Sequence, residues 1–276
     1  KMLLKVTTTA EGQVQFWYAF FIPAGVLAFW ALMSFLFVQD SPGKAGFEDF
    51  NTGDAGSDDA ADAAPVSTKE LYTKLLSHPV IQMMIAIEFC SGVLRNGIMH
   101  WGKQYAKDIG VVGTDLFFVN WGLVLMVAGI TGGFFAGFIS DKLFQSRRGP
   151  SAFFLYAGMF VGFVVMIAAL MFKWNAMVGF LCFFMSMCVI GVHGMLSGTA
   201  SMDFGGKKAA ATTAGVIDGF VYLGTGFQSI ALGYIIPKFG WKAWPVFLIP
   251  FTVIGLFFTW KIWNAFPDSK GKKGGH

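Results

Sequence analysis

Residues 137–149 have the sequence Gly137-Phe138-Ile139-Ser140-Asp141-Lys142-Leu143-Phe144-Gln145-Ser146-Arg147-Arg148-Gly149. Long apolar stretches flank this short charged segment on both sides, which predicts a loop between two membrane helices. A carboxylate at the water boundary can face the positive N-terminus of a neighbouring helix. The basic pair can bind lipid headgroups or the carbonyl groups at helix C-termini. The alternative is that the segment is only a positively charged turn.

The composition is that of an integral membrane protein. Of 276 residues, 55% are hydrophobic and 13% are charged, whereas a soluble domain has about 25% charged residues. The three cysteines, Cys90, Cys182 and Cys188, all lie in apolar stretches without metal-ligand spacing. They are interpreted as small hydrophobic residues, and no disulfide, metal site or cofactor is expected.

The apolar stretches predict an all-α membrane protein, because each is long enough to cross a bilayer core that needs about 20 residues per helix. Seven such spans are predicted, at 16–38, 80–101, 116–140, 152–172, 176–202, 209–236 and 243–264. Residues 39–79 are predicted to be a linker whose acidic first part is disordered. Its last part is predicted to be a short amphipathic helix with a capping box at Ser67 and Glu70, whose Leu71, Leu75 and Leu76 lie on the membrane surface. The predicted units are therefore 1–38, 39–79, a six-helix bundle over 80–264, and a tail over 265–276.

The basic residues predict the orientation. They are more numerous on the side that holds the linker, the 137–149 loop, a loop at Lys207-Lys208 and the C-terminus, so this side is predicted to be cytoplasmic. Glycines at 129, 133 and 137, and at 215 and 219, recur every fourth residue, which is typical of faces where helices approach closely.

Charged residues inside the predicted spans are candidate functional residues. Arg95 lies in the middle of a span, where an arginine is costly unless it faces a wet cavity or a partner. Its planar fork of donors suits phosphate oxygens, so one hypothesis is an anion-binding residue in a central pore. The alternative is a structural ion pair with Glu88 or Asp218. Glu88 and Asp218 are also candidates for carrying protons.

Four neutral polar side chains in the spans are weaker candidates for functional residues. His193 either forms a hydrogen bond with a neighbouring helix or lines the pore. Tyr222, Asn120 and Gln228 can offer hydrogen bonds to a substrate, although such residues more often bond to adjacent helices.

Four motifs together resemble the organophosphate:phosphate antiporter family of the major facilitator superfamily. Leu94-Arg95-Asn96-Gly97-Ile98 with Trp101 resembles the family's seventh-helix L-R-Y-G-I…W, and the segment from Ser140 to Gly149 resembles its S-D-K-x-F…R-G loop. Lys207-Lys208-Ala209-Ala210 with Gly215 and Tyr222-Leu223-Gly224 is similar to the start of its eleventh helix. Gln39-Asp40-Ser41-Pro42 is similar to its D-T-P at the end of helix six. The matches follow the family's order over about residues 16 to 260.

The resemblance implies a twelve-helix fold, of which this chain has helix six and the C-terminal half, in a bacterial inner membrane. It implies exchange of a phosphate ester, such as glycerol 3-phosphate, for inorganic phosphate by alternating access. Arg95 matches the arginine that binds the phosphoryl group, and its first-helix arginine partner and a fifth-helix histidine are expected in the missing N-terminal half. The implied conformational latch consists of Gly137, Asp141, Lys142, Arg147 and Arg148.

The sequence also departs from the family pattern. Asn96 replaces the motif tyrosine, and His193 stands where glycerol-phosphate members have proline. Ala214 and Ile217 stand where hexose-phosphate members have aspartate and lysine, which argues against a hexose phosphate. Glu88 replaces a neutral residue.

Two other functions remain open from the sequence. One is a proton-coupled carrier of a different anion that uses Glu88 or Asp218. The other is a membrane sensor of sugar phosphates that signals to a partner without transport. No nucleophile–base pair or phosphate-cradling glycine loop is evident in the water-facing segments, so neither an enzyme nor a nucleic-acid-binding protein is expected.

Overall fold

A computed structural model of the chain describes residues 17–39, 42–48 and 68–265. These residues form helices joined by short turns, which confirms the predicted all-α class. The chain divides between Asn51 and Thr52 into two units. The predicted disordered part of the linker, the cap at Ser67 and the C-terminal tail lie largely or wholly outside the described residues.

The first unit contains one described helix, α1, at Tyr18–Phe37. Its sequence is apolar on all sides, and large side chains such as Phe20 and Phe35 are 74% and 84% exposed within this chain. A helix that is hydrophobic all round is typical of a membrane span. A turn over residues 42–48 follows it.

The second unit is a bundle of helices joined mostly by tight turns. In chain order the elements are α2 Thr68–Ser77, α3 Pro79–Asp108, α4 Leu116–Val119, α5 Trp121–Phe138, a π-helical turn Ile139–Leu143, α6 Arg148–Met171, α7 Asn175–His193, a second π-helical turn Gly194–Ala200, α8 Ser201–Phe239 and α9 Ala243–Lys261.

Local sequence explains where these helices begin and end. Pro79 occupies the first turn of α3, where its missing N–H costs nothing. Asp115 caps α4, since its Oδ1 accepts hydrogen bonds from the N–H groups of Phe117 (2.9 Å) and Phe118 (3.2 Å). The turn after α8 is at Gly240, whose φ of 74° favours glycine.

Helix α3 is the centre of the bundle and packs against α7, α8 and α9. Two buried aromatic side chains anchor it. The Trp244 indole of α9 donates to the Gly97 carbonyl oxygen at 2.7 Å. The Tyr156 hydroxyl of α6 donates to the Ile87 carbonyl oxygen, also at 2.7 Å. Both side chains are fully buried, so α3 is fixed at two points along its length.

Six described helices are long and apolar enough to cross a membrane, namely those at Phe20–Phe37, Trp121–Leu143, Arg148–Met171, Asn175–Gly198, Ala211–Phe239 and Ala243–Lys261. The predicted span 80–101 forms part of α3, which has 30 residues but carries the polar and charged groups of the candidate site. The seven predicted spans therefore correspond to the six apolar helices and α3, whose predicted span also carries Glu88 and Arg95.

Two local predictions were wrong. The predicted loop at Lys207-Lys208 is helical, because α8 begins at Ser201. Leu75 does not lie on an outer surface; it is 5% exposed in α2, which packs on α3 and α8.

The predicted glycine faces are contact faces only in part, since a Cβ at Gly129 of α5 would lie 3.6 Å from Ile190 Cδ1 of α7. A Cβ at Gly133, Gly137, Gly215 or Gly219 would meet no described atom within 4 Å. The close approaches occur elsewhere: a Cβ at Gly132 of α5 would lie 2.2 Å from the Met187 carbonyl oxygen of α7. Among the described residues, the repeat in α5 therefore includes one contact, at Gly129, while a closer approach to backbone is at Gly132.

Candidate functional site

Arg95 lies in the middle of α3 and is partly exposed. Every residue from Ile87 to Ile98 is buried except Phe89, Arg95 and Asn96. None of the described residues forms a hydrogen bond or ion pair with Arg95. The alternative interpretation was a structural ion pair of Arg95 with Glu88 or Asp218. Neither ion pair forms within the described part of the chain. The guanidinium is available for an anion.

Asn96 is the second polar residue on this side, and it connects α3 to α8. Its Nδ2 donates to Gln228 Oε1 at 2.8 Å and to Ser229 Oγ at 3.0 Å. Gln228 is fully buried, and its Nε2 has no described partner. These contacts form a polar cluster around Asn96, the residue after Arg95 in α3.

Glu88 is paired with His193. Glu88 Oε2 lies 3.2 Å from His193 Nδ1, and the exposed fractions of the two side chains are 0% and 23%. The other carboxylate oxygen, Oε1, has no described partner. His193 thus contacts a neighbouring helix, as one of its two predicted alternatives required. Glu88 lies about 10 Å along the α3 axis from Arg95.

Asp218 is bonded to Ser197, not to Arg95. Ser197 Oγ, in the second π-helical turn, donates to Asp218 Oδ1 of α8. Helices α3 and α8 run parallel and in the same direction, because Gly92 lies against Val221 and, further along both helices, Asn96 contacts Gln228. Asp218 lies about 15 Å before Gln228 along α8, which places it near the level of Glu88. It cannot balance the guanidinium directly in this arrangement.

The two remaining predicted substrate ligands are exposed. Tyr222 of α8 is 65% exposed within this chain, one residue after the Val221–Gly92 contact. Asn120 is exposed at the junction of α4 and α5, and its side chain does not cap α5. The structure brings Tyr222 to the side of α8 that is not covered by the bundle, and it gives Asn120 no defined contact among the described residues.

The predicted latch segment forms a compact hydrogen-bonded cluster. Arg148 Nη1 lies 3.1 Å from Asp141 Oδ1 and donates to Ser140 Oγ at 2.8 Å. Ser146 Oγ donates to the same Asp141 oxygen at 3.0 Å. Since Arg148 is the first residue of α6, Asp141 lies at a helix N-terminus, as the sequence predicted. Lys142 is exposed, and Gly137 is partly exposed at the end of α5.

Arg147 fixes the other side of this cluster. Its Nε donates to the Phe144 carbonyl oxygen at 3.2 Å, and its Nη1 donates to Asn264 Oδ1 at 3.4 Å. The predicted contact between the basic pair and carbonyl groups at a helix end is therefore present for Arg147. The segment is more than a charged turn, because its side chains connect α5, α6 and the end of α9.

We expect Ser140→Ala to destabilise this cluster more than Asp141→Asn does. Ser140 is fully buried, so its loss leaves a buried arginine hydrogen bond unmade, at a cost of about 1–3 kcal/mol. Asp141 is 57% exposed, and exposed ion pairs contribute roughly 0–1 kcal/mol. Thermal unfolding in detergent measures the difference. An equal or larger shift for Asp141→Asn would contradict this ranking.

Sequence analysis missed two residues of the site, Ser197 and the Ser140 hydroxyl. Ser197 lies in a π-helical turn that directly follows His193, and π-helical turns are frequent at functional sites. No spacing in the sequence indicated that turn. Ser140 belongs to the quoted loop, but only the structure shows that Arg148 reaches it.

Comparison with known proteins gives the family. The family model of the Major Facilitator Superfamily matches residues 9–229. The chain is 28% identical over 270 residues to a glycerol-3-phosphate transporter of Bacillus subtilis, covering 93% of this chain and 57% of the relative. It is 27% identical over 211 residues to a probable hexose phosphate transport protein of Chlamydia trachomatis, covering 75% and 45%.

A membrane sensor protein, UhpC of Escherichia coli, is 29% identical over 186 residues, covering 66% of this chain and 41% of the relative. The chain thus spans about half the length of the relatives it matches. These relatives agree with the resemblance to organophosphate:phosphate antiporters. Together with the apolar helices, the family match makes this an integral membrane protein, and the chain belongs to the Major Facilitator Superfamily.

Proposed function

We propose that the full-length protein transports a phosphate ester, of which glycerol 3-phosphate is the first candidate, in exchange for inorganic phosphate by alternating access. The observation that carries the proposal is Arg95, a partly exposed guanidinium at mid-helix without a described partner. In a membrane such a charge is costly unless a ligand or water meets it. A phosphoryl group matches its planar fork of donors.

The neighbouring polar groups define the proposed substrate site. Asn96 follows Arg95 in α3, and its hydrogen bonds to Gln228 and Ser229 connect α3 to α8. Tyr222 lies on the uncovered side of α8. His193 contacts Glu88, and Asp218 lies near the level of Glu88 along α8, so we assign both to the part of the site about 10 Å along the α3 axis from Arg95. Asn120 stays a prediction without a structural contact to support it.

Glycerol 3-phosphate is favoured over a hexose phosphate by two residues of α8. Ile217, which replaces the lysine of hexose-phosphate members, is fully buried, so it presents no group to a substrate. Ala214 replaces the aspartate. The relatives include proteins named for glycerol 3-phosphate and for hexose phosphate, so they support a phosphate ester and the choice between the two esters rests on α8.

The Asp141–Arg148 cluster is proposed to hold one conformation of the transport cycle, because it ties α5 to α6 through contacts that a rotation of these helices would break. We also propose that this cluster and the C-terminus face the cytoplasm of a bacterial inner membrane. The excess of basic residues on this side supports that orientation.

Counterflow in proteoliposomes tests the function. Vesicles that hold the full-length protein and internal phosphate should take up labelled glycerol 3-phosphate, and external phosphate should compete. Glucose 6-phosphate at equal concentration should compete more weakly. Uptake that does not need internal phosphate would contradict the exchange, and stronger competition by glucose 6-phosphate would contradict the substrate assignment.

A sensor function is the second candidate, because the chain also matches the membrane sensor protein UhpC. A sensor would bind the ester without moving it. Ligand-dependent quenching of tryptophan fluorescence, combined with no counterflow by the same preparation, would favour the sensor over the transporter.

A further inference from the structure

The Glu88–His193 pair is a buried ionisable site that the phosphoryl-binding role does not use. Glu88 has no exposed surface, while His193 is 23% exposed. Glu88 contacts His193 only through Oε2, and Glu88 Oε1 has no partner among the described residues. A buried carboxylate oxygen without a hydrogen bond is costly when the group is charged. A proton on Oε1 removes that cost.

The surroundings of the pair contain few other charges. Tyr156 of α6 and Cys90 of α3 interact electrostatically with Glu88, and the Tyr156 hydroxyl is already bonded to the Ile87 carbonyl oxygen. From α8 and the second π-helical turn come Asp218 and Ser197, which are bonded to each other. Arg95 is the nearest described basic side chain along α3.

Charge balance relates this pair to the anion site. With one shared proton the pair is neutral, whichever of the two residues carries it. With a second proton it carries one positive charge, about 10 Å along α3 from Arg95. Arg95 and the doubly protonated pair then offer two positive charges to a phosphate dianion. Proton uptake and anion binding therefore favour each other, because each compensates the charge of the other.

The proposed proton would reach Glu88 through His193. His193 is partly exposed and ends α7, so its ring can exchange protons with solvent while Glu88 cannot. The π-helical turn that follows carries Ser197, which reaches Asp218 of α8. The pair thus lies where α3, α7 and α8 meet, and its charge can bias how these helices pack.

We propose that Glu88 and His193 form a proton-binding site, in which Glu88 Oε1 takes up a proton when an anion binds at Arg95. The step forms one O–H bond, transfers one proton from solvent through the exposed imidazole, and involves no redox change. The inference rests on the proposed function, since it assigns coupling to the same anion site.

Proton uptake on phosphate binding tests the site. The full-length protein in detergent and weak buffer is mixed with inorganic phosphate, and a pH-sensitive dye reports the protons taken up per phosphate bound. Wild type is expected to take up about one proton more than Glu88→Gln, because the protonation of phosphate itself is the same in both. The phosphate affinity of wild type should also rise several-fold as the pH falls, with a flatter profile for Glu88→Gln.

Two further variants complete the design. His193→Gln should also reduce proton uptake while it retains the carboxylate, which keeps the test valid if Glu88→Gln folds poorly. His100→Gln is the matched control, because His100 is an exposed histidine on α3, the helix that carries Glu88. The proton uptake of this variant should equal that of wild type. Phosphate binding with equal proton uptake by wild type, Glu88→Gln and His193→Gln would overturn the inference alone. Absence of phosphate binding by wild type would overturn the proposed function and this inference with it.

Discussion

Arg95→Lys is expected to abolish most transport while the protein still inserts and folds. Lysine keeps the positive charge but presents a single compact ammonium instead of a planar fork. One charge-assisted hydrogen bond to the phosphoryl group is lost, worth about 1.5–3 kcal/mol, which corresponds to roughly 10- to 100-fold in affinity. Uptake of labelled glycerol 3-phosphate by proteoliposomes of the full-length protein measures the effect. Folding should be little changed, because no described residue depends on Arg95 for a hydrogen bond.

Lys103→Arg is the matched control for this exchange. Lys103 is exposed on the same helix, two turns after Arg95, so the reverse change of the same two residue types should leave uptake and thermal unfolding unchanged. Near-normal uptake by Arg95→Lys would show that the guanidinium does not bind the substrate. Loss of uptake together with a large fall in thermal stability would assign Arg95 a structural role instead.

The helices of this fold could largely be predicted from the sequence, because span length and hydrophobicity are local properties. The predicted spans at 152–172 and 243–264 agree closely with α6 and α9. Two features were less predictable. The chain stays helical through Lys207 and Lys208, and the close helix contacts use Gly132 and Gly224 instead of the regularly spaced glycines. Which face of a helix packs is decided by its neighbours, and that information is not local.

The same limit applies to the candidate site. Arg95 and the Asp141 cluster could be identified because an arginine inside a span and an acid in a short loop are unusual by themselves. The pairing of Glu88 with His193 and of Asn96 with Gln228 joins residues more than 100 positions apart. From the sequence, Glu88 and Asp218 were only alternative ion-pair partners of Arg95, because a sequence gives separations along one helix but not the contacts between helices.

The contact between α3 and α8 gives the second large expected effect, that of Gly224→Ala. A Cβ at Gly224 would lie 2.2 Å from the Phe89 carbonyl oxygen and 3.2 Å from the Val93 nitrogen. Both are backbone atoms that cannot rotate away, so the helices must separate. Overpacking costs typically about 1–3 kcal/mol, and more when the neighbour is rigid. We expect thermal unfolding to occur roughly 2–12 °C lower.

The same change should also reduce transport, because the α3–α8 contact positions the candidate site. Thr225 Oγ1 donates to the Gly92 carbonyl oxygen at 3.2 Å, and the Asn96–Gln228 hydrogen bond lies one turn further on. Separation of the helices would stretch both contacts and displace Arg95. Gly226→Ala is the control on the same helix, since a Cβ there meets no described atom within 4 Å. Alanine also favours a helix over glycine by about 1 kcal/mol, so this variant should be at least as stable as wild type. Equal stability of Gly224→Ala and Gly226→Ala would show that α3 and α8 do not approach as closely as the structure indicates.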